Sequence, residues 1–393
     1  MVKSVVDNAL HQPPAVAGRD SPATHTHLTE NTLFYLVDWL PPDFGAVGQY
    51  AMIFAREIAQ NGRSVILIGL TTGESTIDRE LCPGAGVLEI RRLKANKYNK
   101  SGLASRLLWS LRTNIKLISE VIRDSRSRNA EMLFTGSPPF MLYFALFAKW
   151  VRGIRLIYRI TDFYPEVISA AVGRRTIFLA CLERVTWALR KRVDAFQILG
   201  EDQRRLLLAG GIAPHRIALK RDVPPISISE RDEPAPCPAE LARYKILIYS
   251  GNYGVAHEVD TVVEGLIRHH REGDGRFGLW LNASGSAVGP ILRSLRAAGV
   301  PCAHREPGAL EKLPAVLAAA DAHLVTLRPG FSGYVLPSKI YGCIYSRRPI
   351  LFVGPKSSDI HLLCAQEDGT VYEHVEPGDA AGFASALDRL ARS

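Results

Sequence analysis

Short apolar runs and stretches of helical spacing take turns along almost the whole chain. Strand-like runs fall at 31–39 (NTLFYLVDW), 64–70 (SVILIGL), 87–93, 131–136, 155–160 and 195–199. Helical spacing fills the stretches ending at 60, then 103–122, 139–151, 173–190 and 201–209. Continuously apolar strands alternating with amphipathic helices predict a parallel sheet covered on both faces. The pattern stops at 222–240, where Pro224, Pro225, Pro234, Pro236 and Pro238 sit among mixed charges with no period, the signature of a linker. It then restarts, with strands at 245–250 (KILIYS), 277–282, 302–305, 321–327 and 349–353, and helices at 257–271, 338–345 and 383–391. The expected division is a disordered polar tail at 1–30, a Rossmann-like domain at 31–222, a linker at 223–243, a second Rossmann-like domain at 244–378 and a terminal helix at 379–393.

Composition changes this picture little. A chain of 393 residues is too long for one core. Its 47% hydrophobic and 22% charged residues are ordinary for a soluble α/β protein. The six cysteines form no CxxC and no zinc spacing, so reduced thiols are expected. Residues 1–30 lack an apolar h-region, which argues against a secretory signal. No run of 18 apolar residues occurs, and 140–148 reads as a buried helix rather than a membrane span.

Charge changes it more. The net charge is +9, and the stretch 91–128 alone sets eleven lysines and arginines against Glu120 and Asp124. Within it, Leu103, Leu107, Leu111, Ile115, Ile118 and Ile122 fall at helical spacing. That describes either the solvated outer face of a Rossmann helix or a basic amphipathic surface for anionic lipid. No nucleic-acid-binding motif accompanies the charge, so a nucleic-acid partner is not expected.

Candidate chemistry gathers at strand ends, where open α/β sheets bind ligands. In the stretch 327–354 (LRPGFSGYVLPSKIYGCIYSRRPILFVG), a strand leads through a loop bearing Arg328 to a short helix. Ser338 is expected as its N-cap, followed at once by Lys339. Helix N-termini with free N–H groups suit phosphates. After the strand at 245–250, Gly251, Asn252, Tyr253 and Gly254 form a glycine-bearing turn opening a helix at His257, a diphosphate-type geometry. Gly45 and Gly48 sit where the first strand meets its helix, serving either close ligand approach or a tight turn. They do not form GxGxxG, so a nicotinamide cofactor is disfavoured. Asp162 and Glu166, in the loop TDFYPE, serve either as carboxylates that bind a polar ligand or as an N-cap and part of a Tyr-Pro turn, and Ser137-Pro138-Pro139 ends another strand nearby.

The segment LPSKIYG…RPILFVGP resembles the donor-binding segment of bacterial GT4-type glycosyltransferases of the exopolysaccharide and O-antigen branch. DWLPPDFGAVGQY, YRITDFYPE and YSGNYGVAHEVDT extend the resemblance over about 31–355. It implies the GT-B fold, two Rossmann-like domains facing a cleft, with the terminal helix crossing back onto the first domain. It also implies retaining transfer of a sugar from a nucleotide sugar to a lipid-linked saccharide, in the cytoplasm on the inner face of the membrane. Donor binding would then fall to Gly251, Asn252, Gly254, Ser338 and Lys339, with Lys339, Arg328 and His257 as the catalytic set. Gly45, Gly48, Asp162 and Glu166 would contact the acceptor or sugar. No DxD motif is evident, so positive side chains are expected in place of a metal, and no cofactor is expected. The E-x7-E pair of many such enzymes falls on Tyr334 and Gly342 here, and Arg347 replaces a usual glycine. Two other classes fit the same pattern: a sugar-nucleotide epimerase of GT-B architecture, and a catalytically silent subunit, suggested by the missing glutamates.

Overall fold

The computed structural model describes residues 32–392 apart from 44–45, 85, 97–102, 126–129, 174–175, 225, 230 and 368. The expected N-terminal tail and Gly45 lie outside them. The first domain is built on β1 (Leu33–Trp39), β2 (Val65–Thr71), β3 (Thr76–Leu81), β4 (Val87–Lys94), β5 (Glu131–Thr135), β6 (Arg155–Ile160), β7 (Ala195–Ile198) and β8 (Ile217–Leu219). Their order is β3-β4-β2-β1-β5-β6-β7-β8, parallel except for the edge strand β3. β3 (TIDREL) is polar and largely exposed, so apolar patterning does not reveal it.

Six helices cover this sheet: α1 (Ala46–Gln60), α2 (Leu103–Asp124), α3 (Met141–Arg152), α4 (Glu166–Val172), α5 (Ile177–Arg190) and α6 (Glu201–Ala209). From β1 the chain runs one way to β2, and from β4 it runs the other way through β5, β6 and β7. Right-handed crossovers therefore put α1 on one face and α2, α3 and α5 on the other. The two cores follow suit: Ala51 and Ala55 of α1 pack under Leu33, Tyr35 and Leu67, and Leu117, Val121 and Ala145 pack over Phe34, Leu36 and Phe134. The helix expected at 173–190 begins at Ile177, and an unexpected short helix, α4, precedes it and is ended by Gly173 at φ 68°.

The second domain has β9 (Lys245–Asn252), β10 (Phe277–Ser284), β11 (Cys302–Arg305), β12 (Ala322–Thr326), β13 (Ile350–Val353) and β14 (Tyr372–Val375). All are parallel, in the order β11-β10-β9-β12-β13-β14. Its helices are α7 (Asp260–Glu272), α8 (Val288–Ala297), α9 (Leu313–Ala318), α10 (Lys339–Tyr345), α11 (Asp359–Gln366) and α12 (Ala380–Leu390). The terminal helix does not cross back onto the first domain. Phe383, Ala386 and Leu387 of α12 enter the second domain's own core, and Gly265 of α7 lets the Phe383 ring approach to where a Cβ would lie 2.4 Å away. The linker lacks regular structure until 239, but its later part already docks on the second domain, with the Ala235 N–H donating to the Ala315 carbonyl at 2.7 Å.

The domains meet directly. The Phe163 N–H donates to the Tyr334 carbonyl at 2.9 Å, and Asp162 bridges Val335. Beside this, the buried Asp359 at the start of α11 accepts from the Glu201 N–H at 2.8 Å and pairs with Arg221. All six cysteines are free. No helix among the described residues is long and apolar enough to cross a membrane.

Candidate functional site

The carboxyl ends of both sheets converge on the loop between β12 and α10. On the first domain, β1, β5 and β6 end side by side, presenting Asp38, Ser137 and Asp162. The Ser137 hydroxyl donates to Asp38 Oδ2 at 2.6 Å, leaving Oδ1 buried without a hydrogen bond. Burial raises the Asp38 carboxyl above its ordinary range. Asp162 is pushed up to about 6, first by burial and then by the Asp38 charge. Two carboxyl groups thus share one site. Sequence reasoning singled out Asp162 and missed Asp38, which looks like an unremarkable strand-end residue until the fold sets it beside β6.

Gly48 is held by packing. A Cβ there would lie 1.8 Å from the Trp39 carbonyl oxygen, so glycine lets α1 start against the end of β1. The glycine therefore serves the turn, which was one of its two expected roles. Glu166 is also committed to the fold. It is buried and chelated by Arg190, whose Nη2 donates to Glu166 Oε2 at 2.8 Å and to the Tyr164 carbonyl at 2.7 Å. That guanidinium stacks on Trp187 (4.6 Å) and Phe163 (5.0 Å). Glu166 lines a separate cavity of about 530 Å³ between the domains, with Ser169, Trp187, Leu206 and Tyr334.

On the second domain, Gly251 and Asn252 are not loop residues. They are the last two positions of β9, in register with Ala283 and Ser284 of β10. Gly251 takes φ 117°, which bends the strand end and which only glycine adopts at ease. Helix α7 begins at Asp260, so His257 precedes it in a turn with Gly254. The imidazole is tucked inward. Its Nδ1 lies 2.8 Å from the Thr326 carbonyl, which fixes the proton on Nδ1 and leaves Nε2 as an acceptor. Burial, followed by the Lys339 charge, lowers its pKa to about 3, so the ring is neutral near pH 7. His257 stands edge-on to Tyr249 and Tyr253, both at 5.6 Å.

Lys339 completes this box. Its Nζ sits 3.4 Å from the Tyr249 ring centroid, buried and without a hydrogen bond, and its Cε passes within 3.7 Å of where a Gly251 Cβ would be. Burial drives its pKa well below the ordinary lysine range. A buried amine without a hydrogen bond is stabilised in its charged form by any anion that reaches it. Ser338 precedes it with helical φ/ψ and makes no side-chain cap; instead it meets the Tyr50 phenol of α1 across the cleft. Arg328 is exposed on the rim, its N–H donating to the Ala256 carbonyl at 2.9 Å. Arg347, which replaces the family glycine, keeps a left-handed φ of 56°.

Behind the cleft, Arg159 and Asp222 form a buried pair at 2.5 Å, with Tyr50 and Tyr341 close to Asp222. Among the described residues, one group has metal-capable spacing: His269, Asp274 and Asp388. It lies at the amino end of β10, the opposite sheet edge, and the His269 Nε2 already accepts the Phe277 N–H.

Two Rossmann-like domains whose strand ends face each other define the GT-B architecture, and this chain has that fold. No protein-family model matches the sequence. The chain is 22% identical over 382 residues to a curated Pseudomonas aeruginosa protein, the probable glycosyltransferase WbjE, covering 91% of this chain and 89% of that one. Among solved structures it is similar to sucrose-phosphate synthase from Thermosynechococcus elongatus (13% identity, TM-score 0.66, 92% of this chain and 90% of that one). Anabaena HepE in complex with UDP and glucose is similar at 9% identity and TM-score 0.62, with the same coverage. WaaG, a glycosyltransferase involved in lipopolysaccharide biosynthesis, is similar at 14% identity and TM-score 0.59, again over 92% and 90%.

Proposed function

We propose that this protein is a glycosyltransferase of the GT4 type that moves a sugar from a nucleotide sugar to a lipid-linked saccharide, with retention at the anomeric carbon. What carries the reading is the asymmetry of the cleft. An unpartnered buried lysine beside Gly251 faces it from one domain, and two carboxyl groups, Asp38 and Asp162, face it from the other. The bridge between Asp162 and Val335, four residues before Lys339, ties the two halves together.

Breaking the anomeric C–O bond leaves charge on the departing diphosphate. Lys339, the Gly251 and Gly254 N–H groups and Arg328 meet that charge, as electrostatic stabilisation of a leaving group requires. His257, neutral and fixed through Nδ1, accepts a hydroxyl hydrogen at Nε2 rather than supplying charge. Asp162 and Asp38 accept hydrogen bonds from acceptor hydroxyls. The departing phosphate takes the acceptor proton on the same face, so no side-chain base is needed. WbjE and WaaG are described as glycosyltransferases, which supports the class, and HepE holds UDP and glucose, which supports a nucleotide-sugar donor.

The test is a split of donor affinity from turnover. Lys339→Ala should lose donor affinity and turnover together, and Asp162→Asn should lose turnover with donor affinity nearly unchanged. Loss of donor binding in Asp162→Asn, with the fold intact, would put that carboxylate on the wrong side of the reaction.

A further inference from the structure

One contact between the domains joins the start of a helix from each. α6 follows β7 on the first sheet and α11 follows β13 on the second, so both first turns lie at carboxyl ends of strands. β7 is hydrogen-bonded to β6, whose end leads to Asp162. β13 is hydrogen-bonded to β12, whose following loop leads to Lys339. On each sheet the contact is therefore one strand away from the proposed chemistry.

Helix N-termini hold free N–H groups and partial positive charge, so two of them set together repel and strand their donors. Here each helix carries an aspartate that serves the other. Asp359, at the first position of α11, accepts through Oδ1 from the Glu201 N–H at the first position of α6, at 2.8 Å. Asp202, one residue further along α6, accepts through Oδ2 from the Asp359 N–H at 3.0 Å. The capping is reciprocal, and both aspartates are buried. Arg221, just before the linker, closes the node by pairing with Asp359 and donating to the Leu199 carbonyl at 3.0 Å. Arg205 of α6 donates to the Ser357 carbonyl of the second domain at 3.1 Å.

Gly200 sets how near the second domain comes. Its φ of −145° is extended backbone that any residue adopts, so the glycine is not needed for its own turn. A Cβ there would lie 2.7 Å from Asp359 Cβ and 2.7 Å from Asp202 Oδ1. The first domain thus omits a methyl group where the second domain arrives. Hydrogen bonds to carboxylates are directional, so the node fixes orientation as well as distance.

We infer that Asp202, Asp359 and Arg221 are positioning residues for transfer: their node fixes the register between the domains, and so the placing of Lys339 against Asp162. They act through the two domains rather than on a reacting group. A tilt at the node reaches both groups, because a single strand separates it from each. A misplacement of about 1 Å can lower a rate on the order of 10²-fold. The inference rests on the two-domain site proposed above.

The experiment uses the full chain in three variants. Gly200→Ala wedges the node without removing a charge. Asp359→Asn leaves Arg221 facing an amide, and Asp359→Asn/Arg221→Gln turns the ion pair into a neutral amide pair. Hydrogen exchange is followed at the first turns of α6 and α11. Donor affinity and kcat are measured with nucleotide sugars and lipid-linked saccharides from a bacterial membrane. Gly200→Ala, a change in the first domain, should speed exchange at the Asp359 amide of the second. In both single variants kcat should fall about tenfold or more, with donor Kd within about twofold of wild type. The double variant should recover most of that loss, as a direct pair requires. Unchanged kcat in both single variants, a loss matched by donor affinity, no recovery in the double variant, or exchange that rises only in the altered domain would each overturn the inference. A wild-type chain that turns over no donor would instead sink the proposed reaction, and the role in transfer with it, while the exchange result still decides whether the node joins the domains.

Discussion

Lys339 and Asp162 are the two residues whose ionisation the fold disturbs most usefully. For Lys339 the sign is plain. Its amine is held below the ordinary lysine pKa in the free protein, and an arriving diphosphate restores the charged form, so donor binding should take up a proton. Calorimetry in buffers of different ionisation enthalpy checks this near pH 8; uptake that persists in Lys339→Met would assign it elsewhere. Lys339→Ala should lower transfer by roughly 10²–10³-fold, the scale of one lost transition-state contact. For Asp162 the folded pKa is raised to about 6, so folding favours its protonated form. Stability contributed this way is present at low pH and lost as pH rises through about 6. Asp162→Asn should therefore melt higher than wild type at pH 7.5, with the difference vanishing near pH 4, measured by thermal unfolding at both. Asp162 was legible in the sequence because its loop follows a clean apolar strand. Asp38 was not, because its meaning comes from β6, more than a hundred residues away.

At the scale of elements, the site depends on how tightly helices start against strands and how α4 is clasped. Gly48→Ala would drive a Cβ into the Trp39 carbonyl and should cost about 2–4 kcal/mol in denaturant unfolding. Glu166→Ala would strand the buried Arg190 and should cost about 3–5 kcal/mol, with donor affinity retained if the domain survives. The same variant losing turnover alone, at full stability, would return Glu166 to the acceptor site. Buried strands such as β2, β9 and β13 were readable because both of their faces are covered, which leaves uninterrupted apolar runs. Helix α2 was readable as a helix but not in its orientation. Period alone gives two apolar rows, Leu107–Leu111–Ile115 and Leu117–Ile118–Val121, and only packing decides which one meets the sheet. The end of β9 was misread as loop because Gly251 and Asn252 are turn residues by type, yet pairing with β10 carries the strand through them.

At the scale of the molecule, the two-domain fold was legible from the restart of the α/β pattern after 222–240, and the direct contact between domains was not. That contact is made by the Asp359 carboxylate with the Arg221 guanidinium and the Glu201 N–H, by backbone pairing at 162–163 with 334–335, and by Leu199, Val167 and Ala170 packing into an apolar cluster of the second domain. None of these carries a period. On the proposed reading the cleft they frame sets Lys339 against Asp38 and Asp162, and neither domain alone would hold a complete site. The measurement that tests this most directly follows nucleoside diphosphate release and sugar configuration when the full chain meets a panel of nucleotide sugars, with and without lipid-linked saccharides from a bacterial membrane. The account predicts release that requires both donor and acceptor, and a product whose anomeric configuration is that of the donor. A sugar altered without any acceptor, or no release with any donor and acceptor pair, would contradict it.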